Sequence, residues 1–174
     1  MTSESKLRTV ESDDHEWLVE LHNDPAVLRN LTDSRPITLE SHMRWWVNLD
    51  HDREERRVFT IDGTRIGFCK FTHDRPNRSV CLGADIHKTH RGKGLARGMW
   101  ELMLDHVFAG PTHRAWLTTA DYNVVGQRVY EGLGFVIEGR MEESLYRAGE
   151  YRDQIVMRMM RREWLARCAR RGQE

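Results

Sequence analysis

The sequence lacks an excess of charge, a set of paired cysteines and any long apolar run. Lys+Arg and Asp+Glu both number 27. A balanced chain offers no global field for nucleic acid or an anionic membrane, so a polyanion must be met by a local arrangement of residues. Three cysteines, Cys69, Cys81 and Cys168, stand at no spacing that suits a metal knuckle or a disulfide framework, which fits a reducing compartment. Nowhere do about 18 apolar residues run together, which excludes a helical membrane span. The acidic start MTSESKLRTVESDDHEW has no apolar signal core, and a cytoplasmic protein is expected. Internal repeats and low-complexity linkers are missing as well.

What is present suits one domain. At 174 residues the chain can bury a sizeable core, since domains typically run to about 100–150 residues. We expect a single domain over 1–174, with its core at about 6–160 and a basic tail, RREWLARCARRGQE, at 161–174 that forms a solvated terminal helix. SKLRTVES reads as a strand, and Trp17, Leu18 and Leu21 fall at helical spacing ahead of Pro25. Leu39, Met43, Trp46 and Val47 describe an amphipathic helix capped by Thr38 or Ser41, with its apolar stripe expected on a sheet. Asp62-Gly63 between two β-rich runs predicts a tight hairpin, followed by a third antiparallel strand, SVCLGADIH. A helix from Leu95, a strand at RAWLTTA, a short helix ending at Gly134 and a long hairpin turning at RAGE complete the chain. This order predicts an α/β (α+β) domain with a mixed, mostly antiparallel sheet flanked by helices.

HKTHRGKGLARG, His87 to Gly98, lies between a strand and a helix. Backbone that wraps a phosphate needs residues without Cβ, and a helix start aims free N–H groups and its positive dipole at the same spot. Gly92 and Gly94 supply the freedom, with Arg91, Lys93 and Arg97 as candidate ion partners. A dinucleotide fingerprint needs G-x-G-x-x-G after the first strand, whereas Gly92, Gly94 and Gly98 follow the fourth at a different spacing; a Walker loop is absent. A glycine-rich turn that merely starts a helix is the other reading of the loop alone.

Arg91, Gly92, Lys93, Gly94, Leu95 and Ala96 resemble the [Q/R]-x-x-G-x-[G/A] loop of the GCN5-related N-acetyltransferases. Farther on, NVVGQRVYEGLGF is similar to that family's N-x(6)-Y-x(4)-F segment. The likeness covers roughly Lys6 to Met160. It implies that acetyl-CoA is the co-substrate, without a metal. The amides of the loop would hold its pyrophosphate, backbone N–H groups at Ile86 and His87 its carbonyl and pantetheine, and Asn123 would open the helix beside the pantetheine arm. Tyr130 would lie near the thioester sulfur. A phenol, with an ordinary pKa of about 10, stays protonated at neutral pH and can donate to a thiolate.

Many members of the family carry a glutamate early in the strand before the loop, where this chain has Val80 and Cys81. Asp85 is the nearest carboxylate and the candidate base, and the absence favours acceptors of low amine pKa. The segments NDPAV…SRPITLESHMRWW and EGRMEESLYRAGEYRD resemble N-acetyltransferases of nucleotide-linked 4-amino sugars, of the pseudaminic acid pathway type. That likeness implies a nucleotide-linked amino sugar as acceptor, bound by His42, Trp45 and Tyr146. The second segment also resembles acetyltransferases of ribosomal-protein N-termini, so a protein N-terminal amine is the alternative. A non-catalytic acyl-CoA-binding module is a reading of another class. No nucleic acid or membrane partner is expected, and the chain is expected as a monomer or homodimer.

Overall fold

In the computed structural model, which describes residues 3–171, the alternating runs pair into one seven-stranded sheet. Its strands are β1 (Ser5–Thr9), β2 (Glu54–Ile61), β3 (Thr64–Asp74), β4 (Ser79–Ile86), β5 (Arg114–Ala120), β6 (Val136–Arg147) and β7 (Glu150–Met160). The order is β1-β2-β3-β4-β5-β7-β6, and every neighbouring pair is antiparallel except β4 with β5. The helices are α1 (His15–His22), α2 (Pro25–Leu28), α3 (Leu39–Val47), α4 (Leu95–Ala109), α5 (Val124–Leu133) and α6 (Arg161–Arg171). The fold is therefore the expected mixed α/β domain. No helix among the described residues is long and apolar enough to cross a membrane.

The core lies between the sheet and α4. Met99, Trp100, Met103, Leu104, Val107 and Phe108 of that helix are buried against Phe71, Val80, Leu82, Leu117, Met157 and Met159 of the strands. Burial of each large apolar side chain stabilises by roughly 1.5–3 kcal/mol, so this one helix face fixes the position of α4 and of the loop before it.

Two expectations are corrected. Thr38 and Ser41 do cap α3 reciprocally, with Ser41 N–H donating to Thr38 Oγ1 at 3.1 Å. Yet the stripe of Leu39, Met43 and Val47 is exposed, and the buried residue of α3 is His42, whose Nε2 lies 3.0 Å from Nδ1 of His15 in α1. Because α3 packs on α1, His42 turns inward, and of the expected stripe only Trp46 follows it, half-buried and edge-on to His15 at 5.0 Å. The basic tail is not a solvated helix either. Trp164 is buried, and its Nε1 donates to Asp105 of α4 at 2.9 Å, docking α6 on the core.

Candidate active site

β4 and β5 pair only at Ser79–Arg114, Val80–Ala115 and Cys81–Trp116. Both strands continue, β4 held by β3 as far as Ile86 and β5 held by β7 as far as Ala120, so the sheet opens into a wedge. The His87 amide donates to the Ile66 carbonyl at 2.9 Å. An antiparallel strand turns alternate amides to opposite edges, so those of Ala84 and Ile86 face the gap. Of the two backbone donors expected, Ile86 is thus available and His87 is not. The His87 ring is internal too, stacked on Trp17 at 5.8 Å with its Nδ1 2.8 Å from Thr89 Oγ1.

The wedge is the floor of a cleft of about 720 Å³, within the usual range for ligand sites. One end is the glycine loop. Gly92 and Gly94 have φ of 73° and 75°, in the left-handed region, and a Cβ at either would meet no heavy atom within 4 Å. Conformation rather than crowding calls for glycine, and the open space beside each leaves room for a group to lie on the backbone. Gly94 is the N-cap of α4 and no side chain caps the first turn, so the helix start faces the cleft bare. Leu95 and Ala96 line the cleft with it, whereas Lys93 is exposed and does not. The residues fit a diphosphate held by backbone amides.

The basic side chains of the loop are less free than their types suggest. Arg91 donates through Nε to the Ile86 carbonyl at 2.8 Å and through Nη1 to Asp24 Oδ1 at 3.0 Å, bracing the loop to α2. Arg97 pairs with Glu101 at 2.9 Å.

α5 forms another wall. Asn123 is its N-cap, accepting from Gly126 N–H at 3.2 Å and donating to Thr119 Oγ1 at 2.9 Å, which ties the helix to the end of β5. Seven residues on, Tyr130 lines the cleft with its ring edge-on to Trp100 and Phe135. Burial, and then the nearby charge of Asp85, push its phenol well above the ordinary value, so it remains protonated at neutral pH.

Among the described residues Asp85 is the one carboxylate that lines the cleft, and it is bonded to Lys70 Nζ at 2.9 Å. Lys70 stands opposite Gly83 in the β3–β4 ladder. A Cβ on Gly83 would sit 3.2 Å from Lys70 Cε, so its absence lets the lysine stem cross to Asp85. Cys81 is no substitute for the missing glutamate: burial raises its thiol to about 11, and it stays neutral.

The expected acceptor residues lie elsewhere. His42 is internal beside His15, Trp45 is on the outer surface with the Arg56 guanidinium over its ring at 5.7 Å, and Tyr146 is exposed against Tyr151; none lines the cleft. The wall facing the wedge comes instead from α2 and the segment after it, through Ala26, Val27, Arg29, Asn30 and Leu31. Periodicity drew attention to the longer α3, while the four-residue α2 has too few turns to show any. NDP was the available signal, with Asp24 capping the Ala26 N–H and Pro25 opening the helix.

Three comparisons bear on this geometry. The sequence profile of the family described as acetyltransferase (GNAT) domain matches residues 6–136. Spermidine N(1)-acetyltransferase of Escherichia coli K12 is 26% identical over 171 residues, covering 97% of this chain and 92% of that protein. L-amino acid N-acetyltransferase AaaT of the same organism is 28% identical over 160 residues, covering 89% and 97%. The crystal structure of spermidine N-acetyltransferase from Vibrio cholerae with CoA and spermine superposes with a TM-score of 0.86 at 25% identity, covering 92% of this chain and 98% of that one. These relatives correct the likeness to nucleotide-sugar enzymes drawn from the first helices.

Proposed function

The chain belongs to the GNAT acetyltransferase family, it is an N-acetyltransferase that uses acetyl-CoA, and on that premise we propose how its residues divide the work of acetylating a small-molecule primary amine. The observation that carries the proposal is the wedge between β4 and β5, which opens into a cleft lined at one end by the glycine loop and also by Tyr130. When bound, acetyl-CoA supplies an acyl carbon activated by a sulfur leaving group. The amides of Gly92, Gly94, Leu95 and Ala96 hold its diphosphate at the α4 N-terminus. The Ala84 and Ile86 amides take the pantetheine arm and the thioester carbonyl, placing fixed dipoles where negative charge develops. Asn123 acts as a positioning residue by fixing the start of α5 against β5.

In the transfer the amine nitrogen bonds to the acyl carbon and the carbon–sulfur bond breaks. Tyr130 gives its proton to the departing sulfur and recovers one from solvent. The proton lost by the amine goes to water. Asp85 is bonded to Lys70 through Oδ2, and its role in the resting enzyme is to neutralise that lysine.

The acceptor that the relatives favour is a polyamine such as spermidine. A second reading rests on charge. Arg29 lines the cleft with no ion-pair partner among the described residues, and the charge of Asp85 is already balanced by Lys70 at its Oδ2. A polyamine keeps further ammonium groups after one amine is made neutral, and this wall offers them no free carboxylate. An amine that carries a carboxylate, as an L-amino acid does, would meet Arg29 instead. The deciding experiment follows CoA release from acetyl-CoA with spermidine, a set of L-amino acids and an alanyl peptide. A higher kcat/KM for spermidine supports the first reading, a higher one for an amino acid the second, and preference for the peptide overturns both. Tight acetyl-CoA binding without turnover of any amine would favour an acyl-CoA-binding module.

A further inference from the structure

Between α2 and α3 the chain has no helix or strand, although Arg29, Asn30 and Leu31 form the wall that faces the wedge. A segment without its own ladder keeps its shape only through outside ties, and its carbonyls need donors. At its far end Asn23 holds Ile37 in both directions, donating to its carbonyl at 2.7 Å and accepting from its N–H at 2.8 Å. At the cleft end the ties come from the opposite end of the sequence. The Arg147 guanidinium donates to the carbonyls of Arg29 at 3.3 Å, of Thr32 at 3.0 Å, and of Leu31. The Tyr122 hydroxyl donates to the same Arg29 carbonyl.

Arg147 ends β6 directly before the Ala148-Gly149 turn, whose residues have φ of 49° and 87°, and it pairs with Glu150 across the hairpin. The tight turn fixes where the arginine root stands, and the planar fork reaches several carbonyls that a single ammonium cannot hold together. Arg147 itself does not line the cleft. We propose that Arg147 is a positioning residue for the acceptor: it sets the amine-binding wall by clamping the carbonyls of residues 29–32, and it does so without touching either substrate. This rests on the reading of the cleft as the acetyl-transfer site.

The glycine loop is braced at Asp24, ahead of α2, whereas Arg147 holds the carbonyls of residues 29–32 after it, so the clamp should act chiefly on the amine. With whichever amine the wild-type enzyme turns over best, Arg147→Ala should raise the amine KM about tenfold, the size of one or two lost hydrogen bonds, while acetyl-CoA Kd and saturated kcat stay within about twofold. Arg147→Lys, which keeps the charge but not the fork, should fall between. Limited trypsin digestion gives a readout independent of turnover: in the alanine and lysine variants the Arg29–Asn30 bond should be cut faster than in the wild type, with the fragment identified by mass. Unchanged amine KM, or unchanged cleavage at Arg29, overturns the proposal. So does an equal rise in amine KM and acetyl-CoA Kd, which marks general loosening. If the wild type acetylates no amine, the reading of the cleft fails, and the cleavage rates still decide whether Arg147 clamps the wall.

Discussion

At the residue scale, chemistry and position were legible to different degrees. Tyr130 and Asn123 could be located because NVVGQRVYEGLGF resembles a family segment, and their separation of seven residues puts both on one side of α5, the side that lines the cleft. Asp85 could be located but not its partner, because Lys70 is fifteen residues away in sequence and the contact depends on a ladder in which Gly83 leaves space. If Tyr130 is the proton donor, Tyr130→Phe keeps the ring packing on Trp100 and lowers kcat by about 10²–10⁴-fold with acetyl-CoA Kd unchanged. A kcat within twofold of the wild type would make Tyr130 a packing residue. His42, expected at the acceptor, carries a different consequence. Burial, with His15 and His22 nearby, lowers it from 6.5 to about 4, so the folded protein takes up its proton later than the unfolded chain. The stabilisation is complete above pH 6.5 and is lost as pH falls toward 4, by up to about 3 kcal/mol. Glu55, which burial would raise but which its bonds to His106 and Arg57 hold at about 2, loses its contribution only below about pH 4.5, leaving the upper window to His42 and to His90, which is lowered by burial and by Lys93. Thermal melts from pH 7 to 5 should therefore fall steeply for the wild type and more gently for His42→Gln; parallel curves would contradict this account.

At the element scale, periodicity gave existence and boundaries better than orientation. The Thr38 cap is where local chemistry puts it, yet the helix turns all of its stripe but Trp46 outward, because the choice of face is made by what α1 presents across the contact. The glycine loop is the opposite case: its conformation follows from local residues, and α4 begins one residue after Gly94 as the spacing predicts. Its freedom can be tested directly. Gly94→Ala has space for its methyl but must hold φ near 75°, a strain of roughly 1–2 kcal/mol for a residue with Cβ. Gly94→Glu adds a negative charge beside the bare helix start. Calorimetry with acetyl-CoA should show a modest loss of affinity for the alanine variant and abolished binding for the glutamate variant. Equal affinities in all three proteins would remove the loop from the binding site.

At the scale of the whole molecule, the order of elements and their periods specified a mixed sheet, whereas the position of its opening could not be read from them, since Leu82–Ile86 has the same strand pattern as the paired residues before it. That opening makes β4 a strand with two unlike edges. Toward β3 its amides are closed by a ladder, and toward β5 those beyond Cys81 are open to water until something occupies the wedge. The two edges should exchange deuterium at different rates. In the free protein the Ala84 and Ile86 amides should exchange quickly and those of Gly83 and Asp85 slowly, giving a rate that alternates with every residue. Acetyl-CoA should slow the first pair by at least about tenfold and leave the second nearly unchanged, because a ligand arm that bonds to the open edge does what an eighth strand would do. The co-substrate would then complete the sheet, and the alternation would disappear only while it is bound.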